Sequence, residues 1–379
     1  MRVAILGGGP AGLYAAYLLK RQRPETEVTL YEQNPADVTF GFGVVFSDRA
    51  LEFLDADDPE THEAIVRDLE IWKDIELRHR DEVIRIDGVG FTAVGRLRLL
   101  QILQERARSV GIEPIYGRVV ASLDELDGAD LVVGADGVNS LVRRTHAEAF
   151  GATVSFLTNR FAWFGARRPF DTLTQTFRET PLGHFNAHHY RFTPEMSTFI
   201  VEVDEATFRR AGFDGMDEEA SRALCEDIFA EELQGNGLVC NKSIWRQFPI
   251  VHNERWSVGN RVLVGDALHT AHFSIGSGTR LALEDVIALV RAVGERPGSV
   301  PDALAAYEAT RRPILEKLTK AANASADWYE HFAEHMRLDP WEFAMSYIGR
   351  SGRIDPDRLR RMSPRFMQAY EEHQRRVGR

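Results

Sequence analysis

The start of the chain carries the pattern that most constrains its fold. An apolar run at residues 3–6 is typical of a buried parallel strand and leads directly into GGGPAG at residues 7–12. A helix of small and apolar residues follows, and a second strand, EVTLYE, ends at Glu32. In a GxGxxG segment the first glycine makes the tight turn, the second lets the backbone approach a pyrophosphate, and the third lets the helix pack on the strand. The pattern predicts a Rossmann-like β-α-β unit that binds a dinucleotide.

Position and charge indicate which residues of this unit would contact the dinucleotide. The helix begins just after Gly9, so its free N–H groups and partial positive charge would face the phosphates. Glu32 lies about 20 residues after the last glycine, where a carboxylate binds ribose hydroxyls. The candidate contacts in this unit are Gly7, Gly9, Pro10, Ala11, Gly12, Glu32 and Gln33.

The alternation of strands and helices breaks after this unit, unlike in a nicotinamide dehydrogenase. Residues 36–48, ADVTFGFGVVFSD, are rich in glycine and aromatic residues and predict a loop. Residues 95–111 predict a helix with Arg96 at its start. A buried strand then runs into a glycine-flanked turn at Asp136, and RVLVGDALH repeats this arrangement at Asp266. From the pattern alone, Asp136 could contact a cofactor or cap the following helix.

Four ordered motifs resemble the group A flavoprotein aromatic hydroxylases, the family of para-hydroxybenzoate hydroxylase. They are GGGPAG at 7–12, the helix that begins at Arg96, GADGVNSLVR at 134–143 and GDALH at 265–269. The resemblance implies an α/β fold with a Rossmann-like FAD-binding domain of the glutathione-reductase type, a mostly antiparallel β-sheet substrate domain and C-terminal helices. It implies FAD as cofactor and NADH or NADPH as electron donor. Oxygen would add to the reduced flavin as a C4a-hydroperoxide, which hydroxylates an electron-rich aromatic ring.

The resemblance also implies further cofactor contacts. Asp266 would meet the ribityl chain, and Asp136 would lie near the pyrophosphate and take part in NAD(P)H use. In GDALHTAHFSIGSGTRLALED, the two turn glycines would let backbone N–H groups approach the flavin, and the next helix would direct its positive end at the charge of reduced flavin. The candidates outside the first unit are Val44, Arg96, Asp136, Asp266, Gly276, Gly278 and Thr279.

Other segments resemble a narrower branch of the family that hydroxylates aryl-CoA thioesters, such as salicylyl-CoA and 2-aminobenzoyl-CoA. They are GFGVVFSD, TAHFSIGSGT, MSTFIVEV and the tail SADWYEHF to SYIGRS. The branch implies an aryl-CoA thioester and O2 as substrates. Two alternatives stay open: a flavin oxygenase of secondary metabolism acting on an indole-like or tropone-like ring, and an FAD reductase that inserts no oxygen. The chain departs from the wider family at His272-Phe273 and Arg280, where proline and asparagine are usual.

Residues 153–204 change to short, aromatic and partly alternating segments, which predict a mostly antiparallel sheet that walls a substrate pocket, and MDEEASRALCEDIFAEEL predicts a long helix beside it. Arginines make this region locally basic. They could hold CoA phosphates, to which arginine forks are suited, or they could simply be solvent-exposed. The candidate substrate contacts are Arg160, Arg167, Arg168 and Arg178.

Histidine and tyrosine side chains are the candidates for handling a substrate proton. His272, Tyr190 and His188 fit this role by residue type, and His272 is preferred because it stands just before the glycine turn. Packing without a catalytic role is an equally good interpretation of His272. The sequence places no acidic partner beside the cluster of His184, His188 and His189, so no metal site is predicted.

Composition limits the partners. The chain has 46 Lys and Arg against 57 Asp and Glu, a net charge of −11, and the acidic residues are spread along it. This argues against nucleic-acid and anionic-membrane partners. No apolar run is long enough for a membrane span and no signal peptide precedes the first strand, so a cytoplasmic enzyme is expected, with a homodimer left open.

The motifs divide the chain into three predicted parts. The FAD-binding domain would comprise residues 1–75, 90–152 and 255–320, and the substrate domain residues 76–89 and 153–254. A C-terminal helical segment would cover residues 321–379. Amphipathic helices are predicted from Pro301 to about His335, with an interruption at Pro313.

Overall fold

A computed structural model describes residues 1–47 and 50–378 of the protein. Within these residues the strands are β1 (Arg2–Leu6), β2 (Glu27–Tyr31), β3 (Gly43–Ser47), β4 (Glu70–Trp72), β5 (Ile75–His79), β6 (Glu82–Ile86), β7 (Phe91–Gly95), β8 (Leu131–Gly134), β9 (Ala152–Ala166), β10 (Leu173–Thr180), β11 (Gly183–Arg191), β12 (Ser197–Val203), β13 (Leu238–Val239), β14 (Arg246–Asn253), β15 (Ser257–Val258) and β16 (Arg261–Leu263).

The α-helices in the same ranges are α1 (Pro10–Gln22), α2 (Glu52–Asp57), α3 (Pro59–Val66), α4 (Arg96–Ser109), α5 (Leu141–Thr145), α6 (Ala147–Phe150), α7 (Glu205–Ala211), α8 (Glu218–Ile228), α9 (Ala230–Leu233), α10 (Gly278–Glu295), α11 (Val300–Glu330), α12 (Phe332–His335), α13 (Pro340–Gly349), α14 (Pro356–Met362) and α15 (Pro364–Arg376). Short 3₁₀ helices lie at Leu123–Leu126, Phe213–Gly215, Gly265–Ala267 and Phe273–Ile275.

The first sheet has five strands in the order β15-β16-β8-β1-β2, and all neighbours except β15 and β16 are parallel. Strand β1 is buried from Val3 onward, because α-helices and neighbouring strands cover it. Helix α1 packs closely on this core through small side chains such as Ala15 and Ala16, which are fully buried. The predicted Rossmann-like unit is confirmed.

The second sheet has the order β13-β9-β12-β11-β10-β5-β6, and β14 also pairs with β9. Its pairs are antiparallel except for β10 with β5, so the mostly antiparallel sheet is confirmed as well. One face of this sheet packs on α7, α8 and α9 through a phenylalanine-rich core. The other face packs partly on α11, α12 and α13. Because both faces are covered, a site on this sheet must lie inside the molecule.

The loop predicted over residues 36–48 is wrong in its second half, and residue 48 lies outside the described residues. Residues 43–47 form β3, which pairs antiparallel with β7, and β7 also pairs with β4. Glycine and aromatic residues suggested a loop, but Val44, Val45 and Phe46 are all buried. Their burial offsets the low strand preference of the glycines around them.

The interruption predicted at Pro313 is also wrong. Helix α11 runs through Pro313 for 31 residues. Proline removes one backbone hydrogen bond in a helix. Buried side chains on either side of it, such as Tyr307, Arg311 and Leu315, hold the helix on the core and offset that loss.

The end of the chain docks on the second sheet. The carboxylate of Asp87, just after β6, accepts hydrogen bonds from the backbone N–H groups of Arg365 at 3.3 Å and Phe366 at 2.8 Å. These are the first residues of α15, where unpaired N–H groups and the helix dipole favour an acidic partner. The helices after Glu330 therefore cap one side of the sheet. The domain boundaries themselves remain a prediction.

Two kinds of feature are absent from the described ranges. Neither stretch, 1–47 or 50–378, contains a helix of the length and hydropathy that crossing a membrane requires. Nor do those residues include a group of three or more His, Cys, Asp or Glu side chains that could hold a metal ion.

Candidate active site

The candidate cofactor residues from distant motifs lie along one edge of the parallel sheet. Strands β1, β2, β8 and β16 all run in the same direction, so the residues that follow them share the carboxyl edge. Gly7, Glu32, Asp136 and Asp266 follow these four strands. In open α/β sheets this edge is where ligands bind.

The three glycines of GxGxxG have different surroundings. Gly7 has φ of +100°, and a Cβ atom on it would lie 2.2 Å from the carbonyl oxygen of Ala135. A Cβ atom on Gly12 would lie 1.8 Å from the carbonyl oxygen of Gly7. A Cβ atom on Gly9 would meet nothing within 4 Å. Gly7 and Gly12 are therefore required by packing, whereas Gly9 leaves open space before α1.

Glu32 is fixed in place at the end of β2. Its Oε2 accepts a hydrogen bond from the N–H of Gly8 at 2.6 Å, and its Oε1 accepts two from Asn34, each at 2.7 Å. The neighbouring Gln33 is exposed. The carboxylate is thus directed at the turn before α1, as the sequence pattern predicts for a ribose contact.

Asp136 caps the following helix, and a contact between its second carboxylate oxygen and a cofactor stays a prediction. Its Oδ2 accepts a hydrogen bond of 2.6 Å from the N–H of Leu141, so it stabilises the start of α5. Its Oδ1 is buried and has no hydrogen-bond partner among the described residues. Burial raises the pKa of Asp136, although nearby hydrogen bonds oppose the shift. A buried acceptor without a partner is costly, which favours a ligand or water there.

Asp266 and Arg96 lie near enough for the charge of each to favour that of the other. The Asp266 carboxylate is exposed to solvent, but the surrounding protein still disfavours its charge and raises its pKa. Burial lowers the pKa of Arg96, while Asp266 and Tyr190 nearby favour its charged form. The guanidinium of Arg96 has no hydrogen bond or ion pair with any residue in 1–47 or 50–378. Tyr190 donates a hydrogen bond of 3.1 Å to the carbonyl of Gly43, and burial raises its pKa.

The segment 273–278, the glycine turn, leads from the first sheet into α10. Gly276 has φ of +58°, which favours glycine, and a Cβ atom on it would lie 3.1 Å from the carbonyl oxygen of Val45. Gly278 and Thr279 start α10, where no side chain caps the helix. The free N–H groups of α10 therefore remain available to a ligand. Val44 lies on the adjoining strand β3 and is buried in the core.

Asp285 supports the turn that carries Asp266, and the sequence analysis gave it no role. Its carboxylate is fully buried and accepts hydrogen bonds from the N–H of Gly265 at 3.2 Å and from Arg311 Nε at 2.8 Å. Its Oδ2 also lies 2.6 Å from Nε2 of His269. Burial would raise the pKa of Asp285, but His269 and Arg311 outweigh it and lower the pKa.

One face of the second sheet, here called the site face, looks toward the glycine turn. Cross-strand register aligns Trp163, Ile200 and His188 in one row, and alternation keeps residues two positions away on the same face. Phe273 of the glycine turn packs on this face, with its ring 6.4 Å from Trp163 and 5.0 Å from Phe161.

The candidate proton-handling residues converge on the site face. The His188 ring lies 5.4 Å from that of Tyr190, and neither of its nitrogens has a hydrogen-bond partner among the described residues. Burial lowers the pKa of both His188 and His272 to about 3. Both imidazoles are therefore neutral at physiological pH. They suit hydrogen bonding better than proton abstraction, for which a pKa near the working pH is needed.

The candidate substrate arginines do not lie on the site face. Arg160 alternates with Phe161 on β9 and stacks on Phe208, with its guanidinium 5.2 Å from the ring. Arg178 faces the same way and binds both Glu231 and Glu232 at 2.7 Å. The two arginines after β9 differ in exposure. Arg167 is exposed, whereas Arg168 is half-buried, with its guanidinium 5.0 Å from the ring of Phe170. Side-chain alternation thus turns Arg160 and Arg178 toward α7 and α9.

Known proteins match the chain along most of its length. The family model described as FAD binding domain matches residues 125–322, and that described as NAD(P)-binding Rossmann-like domain matches residues 5–37. The salicyloyl-CoA 5-hydroxylase of Streptomyces sp is 44% identical over 361 residues, which cover 93% of this chain and 70% of the relative. The chain belongs to the FAD-dependent aromatic monooxygenases.

Two further matches agree with this assignment. The 3-hydroxy-4-methyl-anthranilyl-[aryl-carrier protein] 5-monooxygenase of Streptosporangium sibiricum is 36% identical over 87% of this chain and 89% of the relative. A crystal structure of 2-methyl-3-hydroxypyridine-5-carboxylic acid oxygenase shares the fold with a TM-score of 0.72, at 19% identity over 95% of this chain and 96% of the other. FAD is the cofactor of this monooxygenase, and NADH or NADPH supplies the electrons.

The residues at the carboxyl edge fit FAD. Open space before α1 at Gly9 leaves room for a pyrophosphate at the helix N-terminus. The partnerless Oδ1 of Asp136 and the exposed Asp266 provide polar groups at this edge, and the unpaired guanidinium of Arg96 lies near Asp266.

Glu202 is a second buried acid of the monooxygenase that the sequence analysis missed. It lies on the site face, opposite Phe161 in register, and its Oε1 accepts a hydrogen bond of 2.9 Å from Asn159. Its Oε2 has no partner among the described residues. Burial raises the pKa of Glu202 to about 8, with the Glu330 carboxylate as a smaller cause. The sequence does not predict this burial, because a single Glu in an alternating strand usually faces solvent.

Arg350 is the other residue that the sequence did not single out. It follows α13, and its Nη2 donates a hydrogen bond of 3.0 Å to the carbonyl of Ser274 in the glycine turn. Its Nε donates to Ser325 Oγ at 3.1 Å. Its guanidinium lies 3.9 Å above the ring of Tyr347 and 5.9 Å from that of Tyr329. The C-terminal helices therefore bring a cation to the turn predicted to face the flavin.

Proposed function

We propose that this monooxygenase hydroxylates the aromatic ring of an aryl-CoA thioester. The observation that carries the proposal is the 44% identity to an enzyme named for salicyloyl-CoA, over 93% of this chain. The second relative is named for an aryl group on a carrier protein. CoA and carrier proteins both present acyl groups as thioesters, so an aryl thioester is the substrate chemistry that the two names share.

In this proposal FAD lies along the carboxyl edge of the parallel sheet. The pyrophosphate would sit before α1 at Gly9, and Glu32 would bind the ribose. Asp266 would hold the ribityl chain, while Gly276 and Gly278 would place backbone N–H groups at the flavin. The other proposed contacts are Gly7, Pro10, Ala11, Gly12, Gln33, Val44, Arg96, Asp136 and Thr279. When bound, FAD supplies the redox chemistry and activates oxygen.

The chain's own contribution is to position the ring and to keep water out. Trp163, Phe161 and Phe273 form a contiguous aromatic surface between the sheet and the glycine turn. Neutral His272 lies against Phe273, with 4.2 Å between the ring centroids, and neutral His188 lies on the same sheet face as Trp163, so neither adds charge beside this surface. Tyr190, His188 and His272 would therefore hydrogen-bond the ring substituents rather than accept a proton as free bases.

The CoA part of the proposal rests on the relatives and not on an arginine cradle. Arg178 is bound to two glutamates, and Arg160 is stacked on Phe208. Neither faces the aromatic surface, so neither is retained as a substrate contact. The exposed Arg167 remains free to meet a phosphate at the surface.

The test compares one aryl group in two forms. FAD-loaded enzyme is supplied with NADH or NADPH, oxygen and either 2-hydroxybenzoyl-CoA or free 2-hydroxybenzoate, and the rate of NAD(P)H oxidation is measured. The proposal expects strong stimulation and a hydroxylated product with the thioester only. Equal stimulation by the free acid would contradict the thioester assignment. NAD(P)H oxidation that persists without oxygen would favour the non-oxygenating reductase instead.

A further inference from the structure

The guanidinium of Arg350 is a half-buried cation without a counter-ion. No carboxylate in 1–47 or 50–378 forms an ion pair with it, and the groups that accept its hydrogen bonds are neutral: the carbonyls of Ser274 and Tyr347 and the hydroxyl of Ser325. A charge removed from water is costly unless an opposite charge compensates it. An arginine kept in this state next to an active site therefore indicates an anionic ligand.

Free donors remain on this guanidinium. An arginine side chain has five N–H groups. Three hydrogen bonds are made, one each by Nε, Nη1 and Nη2. One N–H on each of the two Nη atoms is left to donate to a ligand. Such charge-assisted hydrogen bonds are about twice as strong as neutral ones.

The titratable neighbours of Arg350 cannot supply the missing negative charge. His188 and His272 are neutral, and Arg350 itself contributes to the lowering of their pKa values. Burial raises the pKa of Tyr329 well above its ordinary value, so its hydroxyl stays protonated. Tyr347 offers Arg350 its ring and its backbone carbonyl. A bound anion would supply the charged partner that these neighbours do not provide.

The groups around Arg350 are mostly aromatic, which favours an anion whose oxygen is attached to an aromatic ring. Arg350 donates a hydrogen bond to the carbonyl of Ser274. Phe273, which precedes Ser274 in the chain, packs on Trp163. His272 lies between these groups, with its ring 5.8 Å from Tyr329. An aromatic substrate in this space would place a ring substituent within reach of the cation. An ionised hydroxyl there also raises the electron density of the ring, which favours attack on an electrophilic oxygen.

We propose that Arg350 binds the ionised hydroxyl of a hydroxyaryl substrate and so selects hydroxylated rings over unsubstituted ones. This inference rests on the proposed function, because it assumes that an aromatic ring binds between the site face and the glycine turn. Ser325 and Ser274 act as positioning residues for the guanidinium. Their hydroxyls lie 2.8 Å apart, and Ser325 also accepts from Nε.

The test titrates the phenol of 2-hydroxybenzoyl-CoA on the FAD-loaded enzyme by ultraviolet difference spectroscopy. The wild type is expected to lower the pKa of the bound phenol by about one to three units relative to the free thioester, because an opposite charge lies next to it. Arg350→Met should abolish this shift, and Arg350→Lys should retain part of it. Benzoyl-CoA, which lacks the hydroxyl, should bind the wild type and both variants with affinities within about twofold.

Arg337→Met is the matched control. Arg337 lies in the same C-terminal segment, is exposed, and its side chain makes no hydrogen bond or ion pair with any residue in 1–47 or 50–378. The control should keep the full shift. FAD content and benzoyl-CoA affinity establish that each Arg350 variant is folded. If Arg350→Met fails to fold, Arg350→Lys and the wild-type comparison of the two thioesters decide the question.

The possible results distinguish an error in the Arg350 assignment from an error in the proposed function. If both thioesters bind the wild type and the hydroxylated one stimulates NAD(P)H oxidation without any shift of the phenol pKa, the Arg350 assignment is wrong and the proposed function stands. The assignment is also wrong if Arg350→Met binds both thioesters equally less well, or if it changes the reduction of FAD and leaves the phenol shift intact. If neither thioester binds or stimulates oxidation, both proposals are wrong.

Discussion

The carbonyl oxygen of Gly7 lies only 1.8 Å from where a Cβ atom on Gly12 would stand. This contact separates two kinds of glycine in the same motif, because a Cβ atom on Gly9 would meet nothing within 4 Å. Gly12 is required by the fold, whereas Gly9 keeps space open at the N-terminus of α1. The difference can be measured.

Gly9→Val is expected to fold but to lose FAD. The valine would occupy the space proposed for the pyrophosphate, while its cost at the helix N-cap is only about 1 kcal/mol of unfolding free energy. Gly12→Val is expected not to fold. FAD content after purification and thermal unfolding of both variants test this. A Gly9→Val protein with full FAD content would place the pyrophosphate elsewhere.

Asp285→Asn is expected to lower the unfolding free energy by about 1–3 kcal/mol, because it removes one of the two carboxylates paired with the buried Arg311, the other being Glu284. It should also weaken FAD binding, since Asp285 holds the turn at Gly265. The pKa of Asp285 is lowered, so its contribution is present above the unfolded-state pKa and is lost as acid protonates it. Urea unfolding against pH measures this, with the exposed Asp327→Asn as control. Equal stability of Asp285→Asn and wild type would contradict the account.

Glu202→Gln is expected to be more stable than the wild type in mild alkali. The pKa of Glu202 is raised from 4.5 to about 8, so the folded protein holds a proton there that the unfolded chain releases. Stability of the wild type should therefore fall between those pH values. The advantage of the variant should reach about 1–3 kcal/mol near pH 8 and vanish toward pH 5. The measurement is the unfolding free energy of the wild type and Glu202→Gln against pH, with the exposed Glu195→Gln as reference. If the curves of wild type and Glu202→Gln run parallel, Glu202 is ionised in the folded protein and the prediction is wrong.

Arg178→Ala is expected to leave the KM for the aromatic substrate within about twofold of the wild type. Arg178 lies on the face opposite to His188 and binds Glu232, whose side chain is only 2% exposed. The loss should appear instead as about 1–3 kcal/mol of unfolding free energy, because the buried carboxylate of Glu232 loses its closer arginine and keeps only Arg78 at 4.0 Å. A large rise in KM at unchanged stability would return Arg178 to the substrate site.

Much of the fold could be predicted because its signals are local in the sequence. The strand, glycine turn and helix at residues 2–22 specify the β-α-β unit by steric need, as the contact between Gly7 and Gly12 shows. The carboxyl-edge position of Asp136 and Asp266 follows from parallel strands. Strand β3 was missed because glycine and aromatic residues indicate a loop unless tertiary burial of the valines is known.

The substrate side of the site could not be predicted, because it depends on contacts between distant segments. Arg178 lies on the face of β10 opposite to Gln175 and Phe177, and only the register of the sheet shows which face meets the glycine turn. Arg350 reaches Ser274 from 76 positions away in the chain. No spacing rule links such a pair. Its role becomes visible only when α13 is placed beside the turn.

As an aromatic monooxygenase, this chain should transfer one oxygen atom from O2 to an aromatic ring. The direct measurement supplies 2-hydroxybenzoyl-CoA, NADH or NADPH and heavy-isotope O2 to the FAD-loaded enzyme and determines the mass of the product. The account predicts a hydroxylated thioester that carries one labelled oxygen. An unlabelled product from labelled O2, or NAD(P)H oxidation that yields only hydrogen peroxide with every aryl thioester and free aromatic tested, would contradict it.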